Sequence, residues 1–218
     1  MQLDSLKKDI DRLQRKFGDP SLMPIYGAGQ LNNPALMFIF MNPTGRNISS
    51  QKSWQGLRAP WIGTKNVWKL FFKLKLISSK NYNLIKSYKP RNWDYSFASR
   101  LYSELAGKKV YITNLAKCTQ KDARHLKDNI FKKYSGILKR EILSIRPKKI
   151  VTFGNQVSSI VLDKKISVSR YNNLEAEPLK INDEFFNVYP IYYPVGQGMR
   201  NMPIAIKKIN CLLSSKIV

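Results

Sequence analysis

Two polar loops carry residue types from which chemistry can be built. Met41-Asn42-Pro43-Thr44-Gly45-Arg46-Asn47 ends the apolar run that starts at Ala35, and Tyr192-Tyr193-Pro194-Val195-Gly196-Gln197-Gly198-Met199-Arg200-Asn201 ends another. Both set proline and glycine beside basic and amide side chains. Proline stiffens a loop, and glycine lets backbone approach a ligand closely. N–H groups exposed ahead of a helix suit a phosphate. The same residues also describe plain strand-to-helix turns, and spacing alone leaves both readings open.

The charge says what kind of ligand such loops meet. Among 218 residues there are 38 Lys+Arg against 14 Asp+Glu, a formal net charge of +24. A chain this basic is drawn to polyanions: nucleic acid, nucleotides or acidic membrane surfaces. Two cysteines, Cys118 and Cys211, and the single His125 cannot build a four-ligand Cys/His zinc site or a four-cysteine iron–sulfur cluster. No metal and no cofactor is expected. No Gly-x4-Gly-Lys-Ser/Thr occurs, which argues against a phosphate-loop enzyme. No disulfide framework is needed, so a reducing cytoplasm is the expected compartment. The first residues lack a signal-peptide profile, and the run Ala35 to Met41 is far too short to span a membrane.

These loops need elements to hold them. Leu6, Ile10, Leu13 and Phe17 recur at helical spacing, a leading amphipathic helix over 1–18. Ala35 to Met41 reads as a buried strand. Val67, Leu70, Phe71 and Leu74 form the next helical face, and Asp94 caps a helix with Phe97, Leu101 and Leu105 inside. Val110 to Asn114 is a second strand. A helix opens at Asp128 and stops before Pro147. Lys149 to Phe153 is the third strand, Gly154 starts another helix, Asn187 to Tyr192 is the fourth strand, and a closing helix carries Ile206, Ile209 and Leu213. Residues 163–186 are ambiguous, with room for a hairpin. The alternation predicts one α/β domain over 1–218: a three-layer αβα sandwich on a central, mostly parallel four-stranded sheet. In such a sheet ligands bind at the carboxyl ends of the strands, which gathers Asn42–Arg46, Asn114–Cys118, Gly154–Gln156 and Tyr193–Asn201.

The ordered set of segments resembles the uracil-DNA glycosylase superfamily. Phe40-Met41-Asn42-Pro43-Thr44-Gly45 is similar to the family's first motif, with Phe40 where a glycine is usual. Gly56-Leu57-Arg58-Ala59-Pro60-Trp61-Ile62-Gly63 resembles the segment whose aromatic residue stacks on the base. Val110 to Cys118 is similar to the strand end of the bacterial and archaeal iron–sulfur branch. Pro147 to Gly154 resembles the third strand. Tyr193-Pro194-Val195-Gly196-Gln197-Gly198-Met199-Arg200 stands where the DNA-intercalating loop lies, with Tyr193 in place of histidine. The likeness spans about residues 35–212. Of the branch's cluster cysteines only Cys118 is matched. Tyr134 stands sixteen residues later, so it is expected to fill core space and no cluster is expected.

The resemblance implies a monofunctional DNA glycosylase that hydrolyses a deaminated base, uracil first, from a flipped nucleotide in base excision repair. Asn42 would position the water and Tyr193 would donate to the leaving base. Trp61 would stack on the base, Asn114 would read its edge, and Met41 and Pro43 would complete the pocket. Gly45, Arg46, Lys117, Gly196, Gly198, Met199 and Arg200 would hold DNA, with Met199 as the wedge. Lys52, Lys65, Arg124 and Lys207 lie near the same loops, while His125 and Cys118 carry no assigned role. The expected partner is single- or double-stranded DNA, and the expected state is a monomer away from membranes. Two alternatives stay open: a non-catalytic binder of damaged or single-stranded DNA on the same fold, and an RNA-associated basic protein.

Overall fold

The computed structural model describes residues 2–122 and 126–214. Helix α1 (Gln2–Phe17) leads into β1 (Ala28–Gly29) and β2 (Leu36–Phe40). Then come α2 (Asn66–Lys73), α3 (Ser79–Ser87), α4 (Tyr95–Gly107), β3 (Val110–Asn114), α5 (Asp128–Lys133) and α6 (Ser135–Ile145). The chain closes with β4 (Ile150–Phe153), α7 (Asn155–Val161), β5 (Glu177–Ile181), β6 (Glu184–Ile191) and α8 (Met202–Ser214). One sheet holds the strands in the order β1-β3-β2-β4-β6-β5. Strands β3, β2, β4 and β6 run parallel, while β1 and β5 pair antiparallel at the edges.

The unbroken apolar sequence of β2 follows from burial on both faces. Phe38 and Phe40 enter a core with α2, α4 and α8, and Met37 and Ile39 enter a second core with α1, α6 and α7. This is the expected three-layer arrangement. The sheet, however, has six strands, not four. Strand β1 is two residues long and carries no periodicity to read. Strand β5 lies in the ambiguous 163–186 stretch. It forms a hairpin with β6 through a turn at Asn182, whose φ is 53°. Strand β6 begins at Glu184, earlier than expected, because its first half is an edge hairpin whose side chains alternate between buried and exposed.

Local signals account for most boundaries. The Asp94 carboxylate accepts from Phe97 N–H at 2.7 Å and caps α4. The helix expected from Asp128 to Pro147 breaks at Tyr134 into α5 and α6, and Arg146, left-handed at φ 53°, ends it ahead of Pro147. Helix α3 was not expected. It is polar and fully buries only Asn81 and Ile85, so it shows no apolar stripe. Helix α1 buries Leu6 and Ile10, and Gln14 ties its last turn to the carboxyl edge of the sheet by accepting from Thr119 N–H at 2.8 Å. Arg124 and His125 lie outside the described residues. No helix among the described residues is long and apolar enough to cross a membrane.

Candidate active site

The parallel strands end on one edge, in register. Phe40 is opposite Asn114, and Phe153 is opposite Ile191. A cavity of about 770 Å³ opens there, walled by the loops after β2 and β6, by Asn114 at the end of β3 and by the 60–66 segment. It gathers Met41, Asn42, Pro43, Gly45, Arg46, Trp61, Asn114, Tyr193, Gly196 and Gly198 from the expected set.

The first loop is fixed by its own backbone. Gly45 N–H donates to Gln120 O at 2.8 Å, and Gln120 N–H donates to Pro43 O at 3.1 Å. Asn42 Nδ2 donates to Pro43 O at 3.1 Å. That bond uses one of the two N–H donors of the amide and leaves Oδ1 as an acceptor. The Met41 carbonyl accepts from Ala116 N–H at 3.0 Å, so this oxygen is already engaged in joining the two strand ends.

The second wall is the 47–63 loop, which two side chains organise. Asn47, buried, accepts from Ser49 N–H and donates to Ala59 O at 2.8 Å. The Arg58 guanidinium donates to Ser49 O at 2.5 Å, Gln51 O at 2.9 Å and Trp54 O at 3.0 Å. A planar fork with several donors meets three carbonyls in a way an ammonium cannot. Trp61 then takes φ 71°, a left-handed conformation that costs about 1–3 kcal/mol in a bulky residue. Its carbonyl holds it there by accepting from Thr64 N–H, Thr64 Oγ1 and Trp68 Nε1 at 3.1, 2.8 and 3.0 Å. Tyr102 Oη fixes the preceding residue by donating to Pro60 O.

Phe40 explains its own place in the first motif. Its ring is fully buried and lies edge-on to Trp61 at 5.0 Å and to Tyr193 at 6.3 Å, stacked on Phe153 at 4.5 Å. It is the spacer between the two aromatic walls. Burial of Tyr193 pushes its phenol up to about 12, so at neutral pH it is a neutral donor. Asn114, 2% exposed, has no protein partner for Nδ2.

Three expected residues sit elsewhere. Met199 and Arg200 are exposed and stand outside the cavity lining, on the 3₁₀ turn that carries Gly196 and Gly198. Lys117 is not a phosphate contact. It is 1% exposed, and its ammonium donates to Glu141 Oε2 at 2.7 Å. Its position after Asn114 suggested the surface, but the chain turns it inward behind β3. Lys52 and Lys207 are exposed, while Lys65 lines the cavity and donates to Lys86 O at 2.6 Å. Asn47 and Arg58 went unrecognised as organisers because their partners lie within one irregular loop, where no periodicity marks them. Pro90, another wall residue, comes from a turn distant in sequence.

The cluster that the iron–sulfur resemblance implies does not fit these residues. Cys118 is buried beside Tyr134, and Cys211, the other cysteine, is exposed on α8. Burial raises both the Cys118 thiol and the Tyr134 phenol. No group of three or more His, Cys, Asp or Glu side chains that could hold a metal ion occurs among the described residues.

The family model for the uracil DNA glycosylase superfamily matches residues 26–212. A type-4 uracil-DNA glycosylase from Saccharolobus solfataricus is 30% identical over 137 residues, which cover 54% of this chain and 60% of the relative. The chain therefore spans less than two thirds of that relative's length.

Proposed function

The chain belongs to the uracil DNA glycosylase superfamily, and from that premise we propose that it is a monofunctional DNA glycosylase releasing uracil from DNA in base excision repair. The observation that carries the reading is one cavity holding Asn42 with its acceptor end free, Trp61 locked in place, and Asn114 with an unpartnered amide nitrogen. A uracil edge offers a carbonyl oxygen to Asn114 Nδ2 and a ring N–H to Oδ1. Cytosine, with an amino group and an unprotonated ring nitrogen at that edge, reverses both.

The target nucleotide leaves the stack so that its base enters the cavity against Trp61. The bond from sugar C1′ to the base nitrogen then breaks, and its electron pair departs with uracil as an anion. The sugar is left cationic, a charge that the DNA phosphates favour. Tyr193 Oη donates a hydrogen bond toward the anionic base. Asn42 Oδ1 accepts from a water and holds it below C1′. An amide is a poor base, but a cationic sugar demands little basicity. The water oxygen bonds to C1′, and the proton it loses passes through solvent to the uracil anion. The products are uracil and an abasic sugar in an intact strand.

Arg46 at the cavity and Arg200 on the adjoining turn grip phosphates, and Met199, 39% exposed, fills the gap left by the base. A single-domain monomer in the cytoplasm is the working form in this reading. The test is Asn42→Ala in a single-turnover assay. Uracil release slowed by at least about 10²-fold with DNA affinity retained is the expected outcome. Parent-like release would remove Asn42 from its role.

A further inference from the structure

We infer that the buried Lys117–Glu141 ion pair is the positioning device for Asn114, holding the base-reading amide from behind the sheet. The proposal rests on the base-release reading for what Asn114 does, and on geometry for how it is held.

Asn114 has no side-chain partner to fix its amide nitrogen, so its aim must come from its backbone. That backbone is gripped on every side. The next residue, Leu115, donates N–H to Phe40 O at 2.7 Å, and Ala116 donates to Met41 O at 3.0 Å. The Asn114 carbonyl accepts from Lys117 Nζ at 2.5 Å. The same ammonium donates to Thr113 Oγ1 and to Glu141 Oε2. An ammonium has three protons, and all three are used. Glu141 Oε1 in turn accepts from Thr113 Oγ1 at 2.9 Å and Tyr111 Oη at 2.7 Å. Successive strand side chains point to opposite faces. Thr113 therefore faces Glu141 on α6, and Asn114 faces the cavity. The pair acts on the back of the residue whose front reads the base.

A purely structural pair gives no reason for this placement. Two charges in a dry interior are often matched or bettered by apolar residues of similar size. Here Lys117 is 1% and Glu141 3% exposed. The network is sealed with care: a Cβ on Gly27 would stand 2.0 Å from Tyr111 Oη and 2.5 Å from Glu141 Oε1, so only glycine lets the 25–28 segment close over it. Burial lowers the Lys117 ammonium and the Glu141 charge opposes that shift. With every proton engaged behind the strand, Lys117 does not serve as a nucleophile toward an opened sugar.

The test uses the full chain carrying Lys117→Met with Glu141→Leu, which removes both charges together, and Thr113→Val as a milder second variant. Three readings are taken: the ¹⁵N–¹H resonances of the Asn114 side-chain amide, single-turnover uracil release, and affinity for DNA bearing a tetrahydrofuran abasic analogue. The paired variant is expected to shift or broaden the Asn114 amide resonances. Uracil release should slow about tenfold or more while abasic-analogue affinity stays within about twofold. Thr113→Val should move the same readings part of the way, and it decides the matter if the paired variant does not fold. A folded variant with parent-like Asn114 resonances and parent-like release overturns the proposal. If the parent releases no base, the base-release reading fails, and the amide resonances alone still decide whether the pair orients Asn114.

Discussion

Gly198 joins the last loop to the site by contact alone, and adding one methyl group there tests the loop's geometry. A Cβ on Gly198 would stand 1.9 Å from the Tyr193 carbonyl oxygen and 2.8 Å from its carbonyl carbon. Ordinary contact begins at 3.4 Å, so the turn must open by about 1.5 Å. Both sides of the clash are backbone, and no side chain can swing away to relieve it. The Gly198 N–H to Val195 O bond of 3.0 Å closes this turn and stretches first. Tyr193 moves with its carbonyl, out of its edge contact with Phe40. A displacement of about 1 Å in a positioned group can cost about 10²-fold in rate, which is the loss expected for Gly198→Ala in single-turnover uracil release. Global stability should fall by only about 1 kcal/mol, because the turn lies at the edge of the cavity. Gly136→Ala is the control. A Cβ there meets nothing within 4 Å, so this variant should release base at the parent rate and gain about 0.5 kcal/mol of helix stability. Chemical denaturation and base release on the same preparations separate the effects. Parent-like release by Gly198→Ala would refute the claim that this turn holds Tyr193 in a working position.

Other perturbations read different parts of the molecule. Arg58→Ala removes donors to three carbonyls, and with the guanidinium partly exposed water replaces some of them; a loss of about 2 kcal/mol in urea melts is expected, with Arg58→Lys nearly as low. Asn114→Asp should cut uracil release far more than DNA affinity, and equal losses in both would mark the residue as structural. Arg46→Ala and Arg200→Ala should each flatten the plot of log affinity against log salt by about one, measured by fluorescence anisotropy. Tyr193 binds its proton more tightly folded, at about 12, than its ordinary value of 10.0. Its contribution is therefore full below pH 10 and is lost as pH rises toward 12. Tyr193→Phe should lose about 1–2 kcal/mol less than the parent across that window in denaturation at each pH.

The parts legible in the sequence were those with a local physical signature. Val110–Asn114 has the same bounds in sequence and structure because five buried residues end at a polar one. Asp94 announced its helix because a cap bond spans only three residues. The strand-end rule places Asn42, Asn114, Tyr193 and Gly198 on one edge of the sheet, and one cavity there holds all four. Long-range signals were invisible. Lys117 looked like a phosphate ligand until its partner Glu141, 24 residues away, appeared behind β3. Arg58 stood inside the 56–63 segment with no role assigned, because the carbonyls it binds belong to an irregular loop that no pattern marks. Strand β1 exists only because β3 offers it an edge, and Ala28–Gly29 contains nothing that announces a strand. The net charge of +24 pointed to a polyanion, but it could not tell which cations face outward and which are consumed inside.

The most direct measurement is release of free base from otherwise identical single- and double-stranded oligonucleotides carrying uracil, hypoxanthine, xanthine or cytosine, with the abasic product quantified before and after alkali. Free uracil, an abasic strand intact until alkali cleaves it, and no release of cytosine are the expected result. Tight, salt-sensitive DNA binding with no base released from any of the oligonucleotides would contradict the assignment of this cavity to glycosidic bond hydrolysis.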